Sequence, residues 1–146
     1  MKICLTSFCF FIVINLSAQS TTDSANIKTA CADYVEGFFT QDVERMKAAL
    51  HPQLVKRIID NRTGKSVIVN TTRDELASYL KPEYRMKDPN PAEPFKTTVV
   101  IFDISSDIAL AKITTNKMNT FFDYVQLGKI DGKWQVINVL WAYNTR

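Results

Sequence analysis

The chain has one histidine, three cysteines, four glycines and five prolines in 146 residues. A single histidine, His51, cannot make a His-rich metal site or a His pair, and with no cysteine cluster beside it a zinc centre is not expected. So little glycine and proline excludes a collagen-like or low-complexity chain, and no Gly-rich phosphate loop or Gly-x-Ser-x-Gly elbow occurs. No metal and no cofactor are therefore expected. Charge of one sign is scarce too: 18 basic against 15 acidic side chains leave +3, too little to imply a nucleic-acid partner. What is present is an ordinary globular composition, 46% hydrophobic and 11% aromatic. The length suits one domain that buries roughly two thirds of its unfolded surface.

Residues 1–20 have the pattern of an export signal. Lys2 supplies a positive start, and an apolar run from Ile3 to Leu16 is broken only by Thr6, Ser7 and Asn15. Ser17, Ala18 and Ser20 then suit cleavage near Ala18 or Ser20. The run is short for a membrane-spanning helix, which needs about twenty apolar residues. Neither Cys4 nor Cys9 follows the Leu-small-small run of a lipoprotein signal. The expectation is a periplasmic or secreted protein, free of the membrane after cleavage, with one domain over 21–146. Loss of Lys2 would leave 17 basic against 15 acidic side chains, and Cys31 as the single cysteine. One cysteine excludes an internal disulfide, and Cys31 reads as a small buried hydrophobe.

The remaining chain divides into a helical first half and a strand-rich second half. Ile27, Ala30, Cys31, Tyr34 and Phe38 recur at the spacing of one helix face, with Thr22, Asp23 or Ser24 as candidate caps. A second helix is expected to start at Asp42 and to stop at His51-Pro52, because the residue before proline is pushed out of helical geometry. Leu54 to Gly64 reads as irregular. Thr72 and Glu75 have capping-box spacing ahead of a third short helix carrying Leu76, Tyr79 and Leu80. Pro82 to Pro94 holds four of the five prolines and reads as a connector.

Four strands follow in a meander: Thr97 to Ile104, Ile108 to Asn116, Phe121 to Ile130 and Trp134 to Tyr143. Ser105-Ser106-Asp107 and Asp131-Gly132 supply the hairpin turns. This pattern predicts an α+β domain with helices on one face of an antiparallel sheet. Simple alternation in the last strand puts Trp134, Val136, Asn138 and Leu140 on one face and Ile137, Val139, Trp141 and Tyr143 on the other. Both faces then need cover, which predicts a homodimer formed through a second copy of the sheet.

These residues carry a resemblance. The helix with Asp33-Tyr34-Val35-Glu36-Gly37, the short helix Asp42-Val43-Glu44-Arg45-Met46, Leu50-His51-Pro52 with Leu54-Val55-Lys56-Arg57, and the late Asp123-Tyr124, Asp131-Gly132-Lys133-Trp134 and Trp141 resemble the nuclear transport factor two-like (SnoaL-like) superfamily. Within it they are most similar to the putative lumazine-binding family of exported bacterial proteins. The resemblance implies a cone: a strongly curved antiparallel sheet wrapped around the first helix, with a pocket between sheet and helices.

Asp123 alternates with Phe121, Val125 and Leu127, so a carboxylate falls in the middle of an apolar strand face and needs a dedicated partner. It is either a functional acid, base or donor, or a buried structural link to Tyr34 or a backbone amide. Tyr34 sits on the helix stripe and needs a hydroxyl partner once buried. In the superfamily's ketosteroid isomerases a tyrosine on this helix and an aspartic acid on this strand hold an oxyanion, and Tyr34 and Asp123 resemble them in placement. The family's base has no match in Leu54 to Ile59; the next carboxylate is Asp60. His51 reads first as a capping and turn element and second as a base. Lys56 and Arg57 offer an anion site, but read first as solvated surface.

Three functions fit. The leading one is a small-molecule-binding domain with an apolar or aromatic ligand held by Tyr34, Phe38, His51, Arg57, Asp123 and Trp141. The second is an isomerase- or dehydratase-like enzyme with Tyr34 and Asp123 as catalytic residues. The third is a non-catalytic dimeric interaction module.

Overall fold

In the computed structural model, which describes residues 14–60, 64–81, 90–117 and 121–143, the apolar stripe is the inner side of one long helix, α1 (Ile14–Thr40). Ile27, Ala30, Cys31, Tyr34 and Val35 are buried on it, and Phe38 packs against the same core. The helix starts well before Thr22, Asp23 and Ser24, so none of these caps it. Asp23 is instead one turn before Ile27 on the buried side, where it accepts hydrogen bonds from the indole of Trp134 and the ammonium of Lys129, both at 2.9 Å. Those bonds hold its carboxyl below the usual range, the Trp134 bond foremost.

Helix α2 (Val43–Ala49) begins as expected, with the Asp42 carboxylate accepting from the Arg45 amide at 3.0 Å. Arg45 then reaches back to α1, bonding Asp33 at 2.8 Å and Glu36 at 2.7 Å. The two helices cross where α1 has no side chain: a Cβ on Gly37 would stand 2.7 Å from the Met46 nitrogen. Gly37→Ala is expected to cost about 1–3 kcal/mol by overpacking, read as a lower urea midpoint with unchanged slope.

After α2 come β1 (Leu50–Asp60), β2 (Val67–Thr72), α3 (Arg73–Ser78), β3 (Thr97–Ser105), β4 (Ile108–Thr115), β5 (Phe121–Ile130) and β6 (Lys133–Tyr143). The α3 capping box of Thr72 and Glu75 is present in full. Both expected hairpin turns form, Ser106 and the pair Asp131-Gly132 taking the positive φ that tight turns require. The β3–β6 meander forms as expected, but the sheet has six strands in the order β2-β1-β6-β5-β4-β3. The stretch expected to be irregular is largely strand: β1 runs through Leu54 to Asp60 and pairs with β6 in parallel, making the curved, unclosed sheet mixed rather than antiparallel. The overall class, α+β with helices on one face, is as expected.

The face assignment in β6 changes at a bulge. Leu127 pairs with Val136 and Gln126 with Asn138, so Ile137 is the extra residue. One inserted residue reverses the alternation beyond it. Trp134 and Val136 before the bulge, and Val139 and Trp141 after it, therefore all face the helices, whereas Leu140 is 51% exposed on the outer face. Of the proline-rich connector, 82–89 lies outside the described residues. Its end is fastened to the β4 end by Asn116, which bonds Glu93, Pro94 and the Lys96 amide.

Candidate functional site

Strand pairing brings three distant residues together on the concave face. Asp123 on β5 lies beside Trp141 on β6, and Trp141 beside Ile58 on β1. Lys56 is one inward position before Ile58, and α1 hangs Tyr34 over the same region. The Tyr34 hydroxyl donates to Asp123 Oδ2 at 2.9 Å. Lys56 Nζ donates to Tyr34 Oη at 2.6 Å and to Asp123 Oδ1 and Oδ2 at 3.0 and 3.2 Å. The ammonium also stands 5.3 Å from the Tyr34 ring centre and 5.0 Å from that of Trp141, within cation–π range.

The Lys56 and Asp123 side chains are 10% and 3% exposed, so this is a buried ion pair with a phenol bridging its two charges. Such a pair survives away from water only when its remaining donors and acceptors are occupied, and here the phenol occupies one of each. Burial, then the negative charge of Asp123, push the Tyr34 hydroxyl well above its ordinary value, so it stays a neutral donor. The same two causes push the neighbouring Cys31 thiol up to about 12. The centre is thus one cation, one anion and two neutral groups in an apolar wall of Val125, Val139 and Trp141.

Of the residues expected to form the site, Tyr34 and Asp123 meet directly, Trp141 lies against their lysine partner, and Phe38 stands one turn beyond Tyr34 on α1. The structure does not bring in His51: it lies five residues before Lys56, up to about 16 Å along an extended chain. Its Nδ1 accepts from the Gln53 amide at 3.2 Å, a local bond at the start of β1, where a helix-end cap and turn had been expected. Arg57, the neighbour of Lys56 in an extended strand, projects to the opposite, outer face and bonds Asn138 at 3.3 Å. Asp60 is about 13 Å along β1 from Lys56 at strand spacing.

Lys56 itself was expected on the solvated surface and is instead 8% exposed. The available signal was its position, two residues after the buried Leu54 at strand period. Among the described residues no group of three or more His, Cys, Asp or Glu side chains is arranged to hold a metal ion. Nor is any described helix long and apolar enough to cross a membrane.

The family profile described as "Putative lumazine-binding" matches residues 22–142. The chain belongs to this family. The match of the lumazine-binding family spans both helices and sheet, so Tyr34, Lys56 and Asp123 all lie inside it. Among solved structures, an NTF2-like protein of unknown function from Shewanella baltica aligns with TM-score 0.69 and 22% identity, over 86% of this chain and 97% of its own. A second, from Methylobacillus flagellatus, gives 0.64 and 22% over 85% and 94%. A protein named as a putative scytalone dehydratase, from Novosphingobium aromaticivorans, gives 0.62 and 13% over 89% of each chain. At these identities the likeness is one of fold, and it identifies the chain's fold as NTF2-like. No curated protein matches the sequence.

Proposed function

We propose that the protein is an exported small-molecule-binding domain whose concave face holds an apolar or aromatic ligand against Trp141, Tyr34 and Phe38. The observation that carries this reading is the bridged ion pair of Lys56 and Asp123. It supplies a fixed polar end to an otherwise apolar surface, the arrangement by which pockets orient a ligand. The family description makes lumazine, a flat heteroaromatic ring with carbonyl and N–H edges, the natural first probe. Isomerase-type chemistry is the weaker reading: Lys56 donates to both carboxylate oxygens of Asp123, which therefore accepts hydrogen bonds instead of offering one to an oxyanion, and Asp60 is far along β1.

A homodimer is part of the proposal. Val100, Phe102, Ile108, Leu110 and Leu140 are 40–62% exposed, more large apolar side chain than a free sheet face ordinarily shows. Native mass spectrometry of the protein recovered from its own cells, before and after adding lumazine, tests the whole reading. The expected spectrum is a dimer of chains lacking residues 1–20 that retains one lumazine per chain. Trp141→Leu should weaken retention about tenfold, the loss of one good stacking contact. A monomer of full-length chains that takes up no lumazine would overturn the proposal.

A further inference from the structure

A second cleft lies on the helix side of the sheet, away from the outer face proposed for the dimer. It runs between α1, the end of α2 and the β5–β6 turn and measures about 280 Å³. That is just below the roughly 300–1,000 Å³ usual for drug-sized ligands, so it suits a smaller molecule. Small residues open it: Ala30 on α1, Ala48 and Ala49 on α2 and Gly132 in the turn all border the space, and none reaches far enough to fill it. Ala30, Ala49 and Trp134 are 3–6% exposed and form an apolar floor. Trp134 stands seven residues before Trp141 on β6, roughly 20 Å at strand spacing, so the cleft is at the opposite end of that strand from the concave centre.

The rim is polar and carries both charges. Asn26, Thr29 and Asp33 follow one another at helix-turn spacing on the α1 side, and Lys133 stands on the turn side. Asp33 Oδ1 accepts from Arg45 Nε at 2.8 Å, and Glu36 also holds Arg45, which leaves Asp33 Oδ2 unspent among the described residues. The Ala48 carbonyl takes one bond from Gln135 Nε2 at 3.4 Å and keeps its second lone pair. Among the described residues Lys133 makes no ion pair, and the Asn26 amide and Thr29 hydroxyl have no hydrogen-bond partner. A lone anion seated here would face Asp33, and a lone cation would face Lys133. A molecule carrying both charges satisfies both walls and brings no net charge to the apolar floor.

We infer that this cleft binds a free α-amino acid with a small apolar side chain. Its carboxylate meets Lys133, its ammonium lies between Asp33 Oδ2 and the Ala48 carbonyl, and its side chain rests on Ala30, Ala49 and Trp134. The small volume favours so compact a zwitterion over a peptide, whose two charges stand a chain length apart. The inference is independent of the concave-face reading and of the dimer, which leaves the helix side open. L-Valine is the probe, with isovalerate and isobutylamine as counterparts that each lack one of its charges, titrated into the full chain and followed by amide NMR. The expected result is that valine shifts the amides of Ala30, Ala48 and Lys133 and binds about tenfold more tightly than either counterpart. Lys133→Gln should remove the margin over isobutylamine, and Asp33→Asn the margin over isovalerate, with Arg45 still held by Glu36. Ala48→Leu, a change on the exposed side of α2 that fills the cleft, should abolish binding, while Tyr34→Phe leaves it unchanged. A counterpart that binds as tightly as valine would overturn the inference, as would valine binding that survives Ala48→Leu. So would the absence of any shift, or shifts centred on Lys56 and Asp123, which would place the amino acid on the concave face instead.

Discussion

Lys56→Met is expected to destabilise the protein by about 3–5 kcal/mol, because it leaves the Asp123 carboxylate buried without its cation. Whole-domain stability is about 5–15 kcal/mol, so this single change can bring the chain close to unfolding. Asp123→Leu should cost a similar amount for the mirror reason, since it strands the Lys56 ammonium between two aromatic rings. The double variant is the decisive one. Replacing both members of a buried pair by apolar groups of similar volume is often neutral, so Lys56→Met with Asp123→Leu should recover most of the loss. Urea unfolding of the four proteins reads the coupling directly. Additive losses would mean that the two charges do not depend on each other, against the 3.0 Å geometry.

Stability is expected to fall steeply between pH 9 and 12. The Cys31 thiol, ordinarily near 9.0, is pushed up to about 12 by burial and by Asp123. The unfolded chain therefore releases this proton first, and over that interval the folded state binds more protons. Stability from a raised group is whole below its unfolded pKa and is lost as pH climbs through the folded one. Three pH units correspond to at most about 4 kcal/mol. Tyr34, also raised, extends the decline above pH 10 with the same sign. Urea midpoints collected from pH 7 to 12 check this. Cys31→Ala should flatten the profile between 9 and 12 while lowering it slightly throughout, and a variant as steep as the parent would show that the thiol titrates normally.

How legible the protein was depended on the distance over which each feature is decided. The Asp42 cap, the Thr72 and Glu75 box and the Asp131-Gly132 turn are settled within four residues, and all three are where the sequence places them. Asp23 has the chemistry of a cap too, but its partners Lys129 and Trp134 lie more than a hundred positions away, and their hydrogen bonds take it into the interior. The strand β1 was hidden by Pro52 and by Ile58-Ile59, adjacent apolar residues that blur the period of two. A parallel partner that arrives only at the end of the chain leaves no local turn to announce it. Within the candidate site Tyr34 and Asp123 were readable, since they are polar residues on apolar faces. Lys56 was not: lysine is ordinarily solvated, and what buries it is a carboxylate 67 residues later. The bulge at Ile137 has no glycine to mark it, and it overturned the face assignment of Leu140 and Trp141.

The position of β6 also sets an order in time. The last of the described strands to be synthesised is an inner strand of the sheet, with β1 on one side and β5 on the other. Until it emerges, the β1–β2 hairpin and the β3–β5 meander are two fragments with no shared edge, and Lys56 has no wall across which to reach Asp123. Long-range pairing of this kind folds slowly and late. A nascent chain that stops short of Lys133 therefore displays two open strand edges to whatever chaperone or protease it meets, and only the final eleven-residue strand withdraws them.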